Sequence, residues 1–256
     1  MCRGYELIGD CNSVADLVLL QITQVFPQIQ SRIVGGKPTT INQVPYLVQL
    51  LENGKFFCGG TLVAPRFVVT AAHCVKGMQA RRLSIVAGAT KLSQPGVRSR
   101  VSKIMVPKGF NKATMNMDVA VLKLQKPVRG KGIRPAGLCN RNWRPGAPVK
   151  VSGWGLQNEN GRNVAQQVRT VNVRVIGRAK CQAQYGRQAL ISRTMFCAAI
   201  PGRKDACLGD SGGPAFVNGQ FCGVVSWGIG CARRGFPGVY TNVNVVRKFI
   251  RNAMRR

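Results

Sequence analysis

From Pro45 onward the chain is built of short Val/Ile/Leu/Phe runs broken by glycine and proline. Thirty glycines and thirteen prolines punctuate it in a way that favours an all-β protein with many turns over a helical one. Asn53-Gly54 lies between Tyr46–Leu51 and Phe56–Cys58, and Asn218-Gly219 lies between Ala215–Val217 and Phe221–Val225. Asn-Gly between apolar runs is a hairpin signal. Further strand candidates are Phe67–Val69, Leu83–Val86, Val101–Val106, Val119–Leu124 and Val149–Val151. Val168–Val175 alternates and is expected to bury one face. The end of the chain differs. Val246, Phe249, Ile250 and Ala253 recur at helical spacing, with Arg247, Lys248, Arg251 and Arg255 on the other side, so a C-terminal amphipathic helix is expected. With 45% apolar residues in 256, there is material for one large domain or two small ones in a sandwich or barrel architecture.

Ten cysteines without a C-x-x-C pair, and a single histidine, argue against a zinc site, which needs clustered nitrogen and sulfur ligands. No metal or cofactor is expected. Disulfides are the better reading, and they imply an oxidising compartment. The protein is therefore expected to be secreted, extracellular or held in a secretory granule. Cys58 and Cys74 flank the histidine segment, Cys181 and Cys197 flank a loop, and Cys207 and Cys231 bracket a serine hairpin.

The formal charge of +30 attracts polyanions such as sulfated glycans, nucleic acid or acidic membranes, with binding that weakens as salt rises. Solubility is the competing explanation. The bases are scattered, and no RNA-binding signature with interleaved aromatics is visible. Residues 1–32 occupy the place of a signal or propeptide, but the pattern is poor. Arg3 is followed by Glu6, Asp10 and Asp16, and Leu17–Leu20 is broken by Gln21 and Gln24. No stretch of ~20 apolar residues occurs, so no membrane span is expected.

The chemistry concentrates in few residues. His73, the only imidazole, sits in Thr70-Ala71-Ala72-His73-Cys74, and Gly209-Asp210-Ser211-Gly212-Gly213-Pro214 lies far downstream. Only eight acids occur; Glu6, Asp10 and Asp16 precede residue 33, leaving Glu52, Asp118, Glu159, Asp205 and Asp210. A serine hydroxyl is a weak nucleophile and needs a base within reach, and here one imidazole is available.

These motifs, with Arg32-Ile33-Val34-Gly35-Gly36, Asp118-Val119-Ala120-Val121, Ser152-Gly153-Trp154-Gly155 and Ser226-Trp227-Gly228, resemble the chymotrypsin-like serine proteases, and the trypsin-like members in particular. The resemblance spans Ile33 to Arg256. It implies two antiparallel six-stranded β-barrels with a C-terminal α-helix, residues 33–136 forming the first barrel and 137–256 the second, with the active site between them. Ser211 would be the nucleophile, His73 its base and Asp118 the residue that orients the base. The N–H groups of Gly209 and Ser211 would form the oxyanion hole. Asp205 would lie at the base of a pocket for Arg or Lys, with Ala206 beside it and Ser226, Trp227, Gly228 and Gly238 around the substrate. Cleavage at Arg32-Ile33 by another trypsin-like protease would free the Ile33 α-amino group to pair with Asp210.

Six cysteines match common bridges of the family: Cys58 with Cys74, Cys181 with Cys197, Cys207 with Cys231. Cys139 and Cys222 are then expected to pair with each other, while Cys2 and Cys11 match nothing. The absence of carboxylates between Leu83 and Asp118 speaks against the calcium site of some trypsins. By the same resemblance, protein substrates and inhibitors of the serpin or Kunitz type are expected partners, and a monomer is the default. A cationic polyanion- or microbe-binding protein on a protease scaffold is the competing function.

Overall fold

The computed structural model describes residues 36–156, 163–200, 210–230, 233 and 235–256. Thirteen strands are named in chain order: β1 (Lys37–Pro38), β2 (Leu47–Glu52), β3 (Lys55–Ala64), β4 (Phe67–Thr70), β5 (Leu83–Ala87), β6 (Val97–Met105) and β7 (Ala120–Leu124), then β8 (Pro148–Gly153), β9 (Arg169–Ile176), β10 (Met195–Ala199), β11 (Pro214–Val217), β12 (Gln220–Trp227) and β13 (Gly238–Asn242). Among the described residues three α-helices accompany them: α1 (Ala72–Val75), α2 (Arg178–Tyr185) and α3 (Val243–Met254).

Strands β2-β3-β4-β7-β6-β5 close into one antiparallel barrel. Strands β8, β9, β10, β13, β12 and β11 close into a second through the β9–β8 pairing. Each barrel removes its own sheet edges. The two-residue β1 attaches to the second barrel, Lys37 opposite Thr170 and Pro38 opposite Arg169. No described helix is long and apolar enough to cross a membrane.

Local sequence explains the turns. Asn53 and Gly54 have φ of 48° and 84°, and Asn218 and Gly219 have φ of 48° and 76°. Two successive residues with positive φ make the turn whose twist matches a hairpin, and Asn-Gly tolerates it best. The β9 alternation also forms, with Val171, Val173 and Val175 buried. Its inward row begins with an arginine. Arg169 is 6% exposed and donates from its guanidinium to the Gly36 carbonyl at 2.7 Å.

Other elements are not signalled by periodicity. All five residues of β10, Met-Phe-Cys-Ala-Ala, are buried, so its pattern is a continuous apolar run. Helix α2 is short and mostly polar, burying only Cys181 and Tyr185. Helix α3 follows the expected periodicity, burying Val243, Val246, Ile250 and Ala253, and its N-terminus is capped by the Asn242 side chain, which accepts from the N–H groups of Asn244 and Val245.

The barrels are joined through packed side chains. Tyr46, just before β2, stacks on Phe216 of β11 with ring centroids 3.9 Å apart. Disulfides join Cys58 to Cys74, Cys139 to Cys222 and Cys181 to Cys197. The Cys139–Cys222 bond fastens the segment between the barrels to β12, beside the parallel bridge of Leu138 with Phe221. Cys2, Cys11, Cys207 and Cys231 lie outside the described residues.

Cys139→Ser/Cys222→Ser removes a link across a sequence separation of 83. Loss of such a constraint on the unfolded chain costs about 2–4 kcal/mol, and in a chain of this size that lowers Tm by roughly 5–15 °C. Thermal melts followed by circular dichroism measure it; an unchanged Tm contradicts the assignment. Burial pushes the Tyr46 phenol up to about 12 from an ordinary value near 10. Below pH ~10 both states keep the proton. Between about pH 10 and 12 the unfolded chain releases it while the folded one holds it, so this tyrosine's contribution to stability falls as pH rises. A tyrosinate absorbance titration is expected to show a late step that disappears in Tyr46→Phe.

Candidate active site

The short helix α1 follows β4 directly and is fixed to β3 by the Cys58–Cys74 disulfide, so His73 is held at the rim of the first barrel. Asp118 lies two residues before β7 and is completely buried. Its Oδ1 accepts the main-chain N–H of His73 at 2.8 Å, and its Oδ2 lies 2.7 Å from His73 Nδ1. Ser226, 5% exposed on β12 of the second barrel, donates its hydroxyl to the same Oδ2 at 2.5 Å. The Asp118 carbonyl accepts from the Thr241 hydroxyl at 2.7 Å. A buried carboxylate needs donors to replace its lost water, and here they come from both barrels. Since Nδ1 must carry hydrogen to donate, Nε2 is left as the acceptor of the neutral ring. Cys58 and Cys74 lie close around His73, but their sulfurs are joined to each other and offer no thiolate to a metal.

The loop that delivers Asp118 is held from the second barrel. Asn116 Oδ1 accepts from the hydroxyls of Ser192 and Thr194, each at 2.9 Å, and the Met117 N–H donates to Thr194 Oγ1 at 3.2 Å. Met115 and Met117 have φ of 55° and 56°. Left-handed backbone is unfavourable for a side chain that cannot bond its own main chain, so these tertiary bonds hold a conformation that local sequence does not favour.

Ser211 occupies a tight turn in which the Gly213 N–H returns to the Asp210 carbonyl at 2.8 Å. Gly212, third in that turn, has φ of 78°, as a type II turn requires. A Cβ there would collide with Thr70 Oγ1 and come within 2.6 Å of the Gly59 carbonyl. The turn thus presses directly on β3 and β4, and the Ser211 carbonyl accepts from Gly59 N–H at 2.8 Å. His73 is brought to this cleft because β4 continues into α1. Among the described residues no hydrogen bond runs from the Ser211 hydroxyl to His73; such bonds commonly tighten only once substrate is bound.

Asp210 is completely buried and its Oδ1 accepts from Gly155 N–H at 2.9 Å. A Cβ on either Gly153 or Gly155 would occupy the space of its carboxylate. The Ser-Gly-Trp-Gly segment is therefore a seat for this acid, a role its sequence does not announce.

Trp227 is half-buried and meets Tyr185 edge-on at 5.0 Å. Gly228 lies against Gly238, where a Cβ would stand 3.8 Å from the Gly238 Cα. Two facing glycines leave a gap that no side chain of theirs fills. Ser226 points away from that gap, toward Asp118. Arg32, Ile33, Asp205, Ala206, Cys207, Gly209 and Cys231 lie outside the described residues. Sequence reasoning misses Thr241, Asn116, Ser192 and Thr194, because nothing local marks hydroxyls whose partners are distant in the chain.

Ser226→Ala removes one of the three donors to the Asp118 carboxylate. Hydrogen bonds to charged groups are worth about 1.5–3 kcal/mol, so kcat for peptide hydrolysis is expected to fall about tenfold or more with KM nearly unchanged. Steady-state kinetics with a small peptide substrate reads this. Unchanged kcat means that the Ser226 bond does not support the chemistry.

Comparison with known proteins identifies the lineage. The family model described as Trypsin matches residues 33–250. The chain is 42% identical over 241 residues to Seminase of Drosophila melanogaster, covering 93% of this chain and 88% of that protein. It is 40% identical over 228 residues to Trypsin alpha of Drosophila erecta, with 88% and 89% covered, and 41% identical over 230 residues to Trypsin beta of the same fly, with 89% and 90% covered. The chain belongs to the trypsin family and is a trypsin-like serine endopeptidase.

Proposed function

We propose that the protein is secreted as an inactive precursor, is activated by cleavage at Arg32-Ile33, and hydrolyses peptide bonds after arginine or lysine through Ser211, His73 and Asp118. The supporting observation is the double grip of buried Asp118 on His73, through its main-chain N–H and Nδ1, which leaves Nε2 as a base. In this reading Nε2 takes the proton from Ser211 Oγ as the oxygen attacks the substrate carbonyl. Asp118 stabilises the imidazolium that results. The N–H groups of Gly209 and Ser211 receive the developing oxyanion. The imidazolium then protonates the departing amine, leaving an acyl-Ser211 ester. Water, deprotonated by the same nitrogen, releases the acid and restores the serine.

Asp205 is proposed to select the substrate's basic residue, between Ala206, Trp227 and the facing glycines Gly228 and Gly238. A carboxylate at the base of such a slot gains most when a guanidinium or ammonium arrives. The relatives named trypsins support this preference. Asp210 is proposed to receive the α-amino group of Ile33 after cleavage; its buried, glycine-lined seat suits a carboxylate whose partner arrives from the chain itself. Three disulfides among the described residues support an oxidising, extracellular destination.

The test is to cleave the purified chain at Arg32-Ile33, label it with a fluorophosphonate, and assay Arg, Lys, Phe and Ala peptides. Stoichiometric labelling at Ser211 with Arg/Lys turnover is expected, and His73→Ala is expected to lose about 10²–10⁴-fold in kcat. Asp205→Ser is expected to lose at least about tenfold in kcat/KM on Arg and Lys peptides without a comparable loss on Phe. A cleaved, folded chain that neither labels nor turns over would refute the proposal.

A further inference from the structure

One group of bases is gathered on an outer face of the first barrel. On β6, Ser99 and Val101 point inward and are buried while Arg98 and Arg100 are exposed, so both guanidinium groups share the outer face. An irregularity between Val101 and Lys103 shifts the alternation. Lys103 is exposed as a result, and its register partner is Lys123 of β7. Two ammonium groups directly opposite each other on neighbouring strands repel. Lys123 Nζ donates to the main-chain oxygen of Arg256 at 3.1 Å, which draws the end of α3 to the same place. Lys103, Lys248 and Arg256 line a cleft of about 610 Å³ between β6 and α3, together with Ile104 and Phe249.

Side-chain carboxylates do not offset this charge. Among the described residues the acids are Glu52, Asp118 and Asp210. Asp118 and Asp210 are fully buried, and Glu52 is engaged with Arg82 at 2.8 Å. Lys123 is held by the oxygen of Arg256, while Lys103 has no acidic side chain near it among the described residues, so the charge of the row attracts an external anion.

We infer that the row from Arg98 and Arg100 through Lys103 and Lys123 to Lys248 and Arg256 binds a linear sulfated polysaccharide, a reading that does not depend on the proposed hydrolysis. Length argues for a polymer: Arg98 to Lys103 alone spans five residues, roughly 17 Å of strand, more than a single small anion covers. β6 itself contains no aromatic residue from Val97 to Met105, so the strand does not supply a row of stacking platforms for the bases of a single-stranded nucleic acid. The disulfides point to an oxidising compartment, where sulfated polysaccharides are abundant linear polyanions.

The test uses the full chain carrying Ser211→Ala, to prevent self-digestion, and a fluorescein-labelled heparin dodecasaccharide read by anisotropy at about 0.15 M salt. One variant changes Arg100, Lys103, Lys123 and Lys248 to Gln. A control with the same net charge changes Lys37, Arg141, Arg144 and Lys180 to Gln. The row variant is expected to bind at least about tenfold more weakly and to lose about three units of slope in log Kd against log salt, since each ionic contact contributes nearly one unit. The control is expected to change less than about twofold. Equal losses in both variants would show diffuse attraction and overturn the inference, as would an unchanged row variant. Tighter binding of a single-stranded DNA dodecamer through the same residues would overturn the assignment to polysaccharide. Retained thermal melting in both variants keeps loss of fold out of the comparison.

Discussion

The burial of the Asp118 carboxylate is the constraint on which the cleft depends. Carrying a carboxylate out of water costs several kcal/mol unless donors replace its hydration, and this one is wholly inaccessible. His73 supplies two donors from the first barrel and Ser226 supplies one from the second. Thr241 bonds the carbonyl of the same residue. Separating the barrels would strand this acid, so their mutual position and the orientation of the imidazole are governed by the same bonds. The Asn116–Ser192–Thr194 bonds extend this hold to the loop upstream, where two methionines adopt left-handed backbone.

The serine turn meets a different requirement, close backbone approach. Gly212 and Gly213 stand against Gly59 and Thr70 at distances that leave no room for side chains. At the start of the same turn, Asp210 lies in the space that Gly153 and Gly155 vacate. Donors from both barrels hold Asp118, whereas Asp210 combines the Gly155 N–H with the room left by two glycines. The contrast suits two acids with different proposed tasks. One is fixed beside its imidazole, and the other is proposed to receive a chain end.

Charge follows a third logic. The described acids are buried or paired, so the exposed side-chain charges of the described residues are overwhelmingly basic. Solubility alone would be served by scattered bases. The apposition of Lys103 and Lys123 goes further, because it places repulsion within a ladder that an acid at either position would relieve. Where β6 meets α3, the fold gathers into one row bases that are far apart in sequence.

Local sequence carries the fold class and much of the element order. Asn-Gly pairs marked both hairpins, the Val171-Val173-Val175 alternation marked β9, and the apolar spacing of α3 marked its buried face, because turn chemistry and periodicity act locally. The resemblance carried by the His73, Asp118 and Ser211 motifs led to the barrels and the family. Tertiary structure alone decided the rest. It closed the sheets, set Arg169 in an inward row that the alternation reserves for apolar residues, turned the Ser226 hydroxyl toward Asp118, and seated Asp210 between two glycines. Each of these joins groups tens of residues apart whose local sequence favours no particular partner. A hydrogen bond or a close approach between them exists only once the fold has fixed both ends in space.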